Sequence, residues 1–146
     1  MIHAMIDLET LATTPDAIIL TCGGVKFDPW STEEPSQPFY LRLDVDEQTN
    51  IGRRLNEDTL KWWESQPTEV KEEALSDGNR VSLGVFKDSL NKFLVGVDYL
   101  WAQGPLFDYA ILEHLYTQLE QPYAWQFWQI RDSRTLFSLS PHVKDN

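Results

Sequence analysis

Two acids set inside an apolar run constrain this chain more than any other feature. The segment Ala4 to Glu9, closing on Thr10, reads as a β-strand, and Ala4, Met5, Ile6 and Leu8 make it a largely buried one. Alternate residues of a strand point to one face, so Asp7 and Glu9 project together. Crowding two like charges on a central strand is costly unless a cation or a proton offsets them. An all-oxygen pair suits Mg²⁺ or Mn²⁺ rather than zinc. Two acids at an exposed strand end are the plainer alternative, and the pair alone leaves both readings open.

The rest of the chain predicts a sheet around that strand. Ala17 to Phe27 is β-rich, with Gly23-Gly24 marking a bulge or a close backbone approach. The turn-rich stretch Pro29 to Pro38 is a loop. Phe39 to Leu43 alternates, with Phe39, Leu41 and Leu43 on one face and Tyr40 and Arg42 on the other. These three segments read as consecutive antiparallel strands. A helix capped by Asn56 runs to about Gln66 with Leu60 and Trp63 on one side, and Pro67 ends it. A short helix follows through Glu69 to Leu75. From Val81, the apolar positions Leu83, Phe86, Leu90, Phe93, Leu94 and Val97 recur at helical spacing.

Tyr99 to Gln103 is a short buried strand, Gly104-Pro105 a turn, and Asp108 to Leu119 a helix. Gln129 to Arg131 reads as a last strand before a helical turn at Ser133 to Leu139. This order predicts an α/β fold: three antiparallel strands, then parallel crossovers, in a mixed sheet flanked by helices. Asp108 falls beyond the carboxyl end of a strand, where α/β folds place their sites. It is a third candidate ligand beside Asp7 and Glu9; the alternative is a simple helix N-cap.

Charge narrows the partners. The 146 residues carry 12 Lys and Arg against 23 Asp and Glu, a net charge of -11. Such a chain repels nucleic acid at long range, so a polyanionic substrate requires a local positive charge, and a carboxylate-bound divalent cation would supply it. Acidity that only maintains solubility is the other reading. One cysteine, Cys22, excludes an internal disulfide, and no Cys/His cluster suggests a structural zinc. The early acids argue against a signal peptide, and no uncharged apolar run approaches the roughly 18 residues of a membrane span. The expectation is a soluble cytoplasmic protein of one domain, residues 1–146, with no membrane partner. Oligomeric state leaves no mark on the sequence.

Trp62 and Trp63 are neighbours on a helix and point about 100° apart, so one can face the core and the other solvent. An exposed indole stacks on a nucleobase for ~1–3 kcal/mol; plain packing of both is the alternative. Arg53-Arg54 and the pair Arg131 and Arg134 are the densest basic clusters, and on an acidic chain such pairs are expected in salt bridges.

Four segments together, DLET (Asp7, Glu9, Thr10), NEDTLKWWESQP, WAQGPLFDYAIL and RDSRTLFSL, resemble the DEDD 3′–5′ exonucleases of the proofreading, ribonuclease-H-like superfamily. The likeness is greatest to the branch holding bacteriophage exonuclease A and some bacterial exoribonucleases, which implies the cytoplasm, such as that of a phage-infected bacterial host. The resemblance implies that Asp7, Glu9 and Asp108 are the catalytic, metal-binding acids for two Mg²⁺ or Mn²⁺ ions. It implies a substrate-facing role for Leu8, Thr10, Trp62 and Trp63, a nucleic acid with a free 3′ end as partner, and a structural role for Asp132.

The family's third motif, a His or Tyr followed by Asp in a further helix, has no match. His142 and Asp145 are wrongly spaced, His3 precedes the first strand, and His114 lies six residues beyond Asp108. The expectation is a C-terminally truncated exonuclease domain with weak or no activity. The alternative is an exonuclease-like nucleic-acid-binding or regulatory module. An aspartyl phosphatase is disfavoured because Glu9 stands where its second Asp would be.

Overall fold

The structure, a computed structural model, describes residues 1–36 and 38–139. Strands β1 (His3–Thr10), β2 (Ile19–Phe27) and β3 (Phe39–Leu43) form an antiparallel meander. Helices α1 (Val45–Asn50), α2 (Glu57–Glu64) and α3 (Thr68–Leu75) follow, then the two-residue strand β4 (Arg80–Val81) and helix α4 (Leu83–Phe93). The chain continues through β5 (Tyr99–Ala102), α5 (Pro105–Gln118), a 3-10 turn at Phe127–Gln129, β6 (Ile130–Asp132) and α6 (Ser133–Ser138). The sheet order is β4-β3-β2-β1-β5-β6, with β4, β5 and β6 joining parallel to their neighbours. It is the mixed, helix-flanked sheet that the sequence predicts.

β1 is central because its faces differ. Ala4, Ile6 and Leu8 pack into the main core with Phe86, Leu90, Leu100 and Leu112, while His3, Met5, Asp7 and Glu9 alternate onto the opposite face. A smaller cluster of Leu11, Ile18, Leu20, Trp63 and Ala74 holds α2 and α3 against the end of the meander. Cys22 is buried in the main core, and burial pushes its thiol well up, so it stays protonated. Among the described residues no helix is long and apolar enough to cross a membrane.

Several local expectations change. The bulge is not at Gly23-Gly24: Glu9 pairs with Thr21 and Thr10 with Ile19, which skips Leu20. Gly24 instead marks a close approach, where an added Cβ would lie 2.9 Å from Ile6 Cδ1 and 3.2 Å from the Phe93 ring. Val81 belongs to β4 rather than to the helix, because Ser82 caps α4 by accepting the Val85 N–H at 3.1 Å. Helix α1 was not anticipated. Its buried Gln48 accepts the Ile19 N–H at 2.7 Å and donates to the Ile19 carbonyl at 2.8 Å, taking the place of a missing strand partner.

Candidate active site

β1, β5 and β6 run parallel, so their carboxyl ends open at one edge of the sheet. β5 pairs with β1 only over His3 to Met5 and then turns into α5. The Leu8 N–H, farther along that side of β1, therefore needs another acceptor. Asp108 supplies it: Oδ1 accepts the Leu8 N–H at 3.2 Å across 100 residues of chain. The third acid is thereby placed beside the backbone that separates Asp7 from Glu9. Asp108 is not the helix cap of the alternative reading, since α5 starts at Pro105 after Gly104, and the Asp lies a turn inside.

The electrostatics of the three acids are linked through Asp7. Asp7 is exposed and Glu9 half-buried, yet loss of surrounding water raises both carboxyls above their ordinary range, and Asp7 raises Glu9 further. Asp108, buried, is pushed up to about 6, first by burial and then by the charge of Asp7. The Leu8 N–H and the nearby Arg134 guanidinium pull it the other way. Accumulated negative charge in a partly desolvated place is what a hard cation relieves, and the donors are all oxygens. The donor chemistry therefore fits a divalent ion. Among the described residues no three His, Cys, Asp or Glu side chains close into a ready ligand cage, so the acids are neighbours around Asp7 rather than a preformed shell.

A groove of about 420 Å³ adjoins Glu9, floored by Leu8 and Thr10 and walled by Trp62, Trp63 and Phe107. The tryptophans divide as their angle on the helix requires: Trp63 is 6% exposed and Trp62 55%. Trp63 Nε1 donates to the Thr10 carbonyl at 2.8 Å, and the two indoles meet edge to face at 4.8 Å. Thr10 Oγ1 is itself engaged, donating to the Ala12 carbonyl at 2.7 Å. Sequence reasoning passed over four groove residues, Thr13, Asp58, Thr59 and Phe107. The signal for Asp58 was present, because it precedes Trp62 by four residues and so shares its side of α2.

Among the described residues no candidate base lies beside the acids. His3 Nδ1 accepts from Trp101 Nε1 at 2.8 Å, near the opposite end of β1. His114 Nδ1 lies 3.0 Å from buried Arg53. Tyr40 shares a second groove with Glu9, but burial pushes its hydroxyl up to about 12, and it donates to Glu73. His142 and Asp145 lie outside the described residues. Asp132 has the structural role expected of it, accepting the Arg134 N–H at 2.8 Å to cap α6. The basic pairs need correction. Arg54 does pair with Asp16 at 3.2 Å, but Arg53 is bound by the carbonyls of Ala17 and Pro15 and by Gln118 rather than by a carboxylate. Arg131 lies over the Tyr99 ring at 4.3 Å.

The topology and the acids at the parallel edge define a ribonuclease-H-like member of the DEDD exonuclease superfamily. Within it the chain belongs to the family described as the 3'-5' exoribonuclease Rv2179c-like domain, whose profile matches residues 2–146. Among solved structures it is similar to the nuclease domain of 3'hExo, a DEDDh family member bound to rAMP, with a TM-score of 0.57 and 13% identity. That match covers 84% of this chain and 61% of the other, so the chain spans about three-fifths of that neighbour's length, and the likeness is one of fold. No curated protein matches.

Proposed function

We propose that this chain is a metal-dependent 3′–5′ exonuclease that releases nucleotides from the 3′ end of RNA, with residues 1–146 acting as one exonuclease domain. The observation that supports it best is the hydrogen bond from the Leu8 N–H to Asp108, which joins the third acid to the Asp7 and Glu9 pair. Asp7, Glu9 and Asp108 would hold Mg²⁺ or Mn²⁺. When bound, two such ions supply Lewis-acid activation of water and neutralise charge on the scissile phosphate. The chain's own residues do the positioning. Trp63 fixes the Thr10 carbonyl, so the strand end next to Glu9 is held against the groove. Trp62 offers a half-exposed indole face for a base, and Leu8 an apolar floor for the sugar. RNA as substrate draws on the family description and on the rAMP carried by the structural neighbour.

A second reading is a module that binds nucleic acid without cutting it. It is favoured by the absence, among the described residues, of a closed ligand set and of a histidine beside the acids. One assay separates the two. A 5′-labelled RNA incubated with Mn²⁺ should shorten stepwise from its 3′ end with the wild type and not with Asp7→Ala. Metal-stimulated binding with the oligonucleotide left intact would decide for the second reading.

A further inference from the structure

A buried bulge leaves a backbone group that the ladder cannot satisfy. Glu9 pairs with Thr21 and Thr10 with Ile19, so Leu20 is the extra residue of β2. The β2–β3 ladder also ends one residue short of it, at Thr21 opposite Arg42. Leu20 is buried, and its carbonyl needs a donor that neither neighbouring strand supplies.

Arg80 of β4 is that donor. Its Nη1 donates to the Leu20 carbonyl at 2.9 Å and to the Leu43 carbonyl of β3 at 3.1 Å. One nitrogen thus closes the gap where the two strands stop pairing. The rest of the guanidinium faces α3: Nη2 donates to the Ala74 carbonyl at 2.7 Å and Nε to that of Ser76 at 3.1 Å. A planar fork of fixed donors serves all four carbonyls, which a single ammonium cannot do.

The bulge lies opposite the site. Glu9 and Thr10 stand on either side of the register shift; Glu9 is a proposed ligand, and the Thr10 carbonyl is held by Trp63. A bulge bends its strand pair and re-aims side chains, and a one-residue slip of β2 would turn its buried residues to the other face. Gln48 holds Ile19, next to the extra residue; Arg80 holds the extra residue itself.

We propose that Arg80 is a positioning residue for the metal site, fixing through the Leu20 carbonyl the bulge that sets the direction of Glu9. The inference rests on the exonuclease reading of the acids. The plainer role of Arg80 is to cap the C-terminal end of α3, which its contacts to Ala74 and Ser76 perform without Leu20. Glu72→Gly separates the two roles, because Glu72 is exposed within α3 and glycine there weakens the helix without touching Leu20.

Arg80→Met keeps the apolar stem and removes every donor. Calorimetric Mn²⁺ binding should weaken by about 10- to 100-fold, the usual effect of losing a group that orients a metal ligand. On labelled RNA, kcat should fall while KM changes by less than about threefold. Arg80→Lys, which keeps the charge and one donor, should lie between the Met variant and the wild type. Glu72→Gly should lower stability and leave Mn²⁺ affinity at the wild-type value. A metal-free arm follows amide exchange of Leu11, whose N–H donates to the Ile18 carbonyl at 2.9 Å beside the bulge. In EDTA, exchange of Leu11 relative to the amides of α4 should quicken about tenfold in Arg80→Met and stay unchanged in Glu72→Gly. Wild-type Mn²⁺ affinity in Arg80→Met, or an equal loss in Glu72→Gly, overturns the proposal. If Arg80→Met does not fold, Arg80→Lys decides, and wild-type Mn²⁺ affinity in that variant overturns it. If the wild type binds no Mn²⁺, the exonuclease reading fails and the exchange arm decides Arg80 by itself. Unchanged exchange of Leu11 in the Arg80 variants then overturns this inference as well.

Discussion

Asp108 answers two local demands at once. It satisfies a backbone N–H that β5 leaves without a partner, and it brings a third negative charge to a place that already holds Asp7. Asp108→Asn keeps an acceptor for Leu8 but removes the charge. It should therefore fold normally and lose nuclease activity on the order of 10²- to 10³-fold, the usual cost of removing one electrostatic element of a site, measured on labelled RNA in Mn²⁺. The same residue predicts a pH effect in chelator. Its folded pKa of about 6 lies above the unfolded value of 3.8. The folded state thus holds the proton more tightly, and this contribution is complete below about pH 4 and lost as pH rises through 6. Urea titrations in EDTA at pH 4 and pH 7 should show the wild type losing about 2 kcal/mol relative to Asp108→Asn. At pH 7, Mn²⁺ should restore stability to the wild type and much less to the variant. The positions of Asp7 and Glu9 on one face were legible from the strand period. The contact between Asp108 and Leu8 was not, because the acceptor for that N–H comes from a distant helix.

Among the elements, those with strong periodicity were readable and those created by pairing were not. α4 and the β1–β2–β3 meander repeat their apolar residues at helix or strand spacing over many positions. β4 is two residues long and exists because β3 offers an open edge. α1, VDEQTN, has almost no apolar face; Asp44 caps it by accepting the Glu47 N–H at 2.9 Å, and Gln48 ties it to β2. That tie gives a prediction at this scale. Gln48→Leu is close in volume but strands both polar backbone groups of Ile19 in the core. It should cost about 2–4 kcal/mol in chemical denaturation, two buried groups at ~1–2 kcal/mol each. Thr49→Ala on the exposed side of the same helix should change stability by less than about 0.5 kcal/mol.

Over the whole molecule the net charge of -11 sets how an anionic substrate arrives. Binders that grip phosphates with Lys and Arg lose about 10³- to 10⁵-fold in affinity between 50 and 200 mM salt. Here the groove beside the acids is lined by carboxylates, aromatics and threonines. Raising KCl over that range at fixed Mn²⁺ should therefore lower kcat/KM by less than about tenfold, because added salt also screens the repulsion between RNA and protein. A steep fall would mean that phosphate contacts by basic side chains dominate. By itself, the sequence determined which residues form the long elements, that two acids share one face of a central strand, and that Trp62 and Trp63 point different ways. These are consequences of backbone periodicity, which acts between residues a few positions apart. Only the tertiary structure decided the order of strands, the skipped residue opposite Glu9, the replacement of a strand partner by Gln48, and the arrival of Asp108 at Leu8. Each of these depends on which backbone groups remain unpaired once the sheet has formed, and on which side chain, however distant in the chain, the fold brings within hydrogen-bond reach.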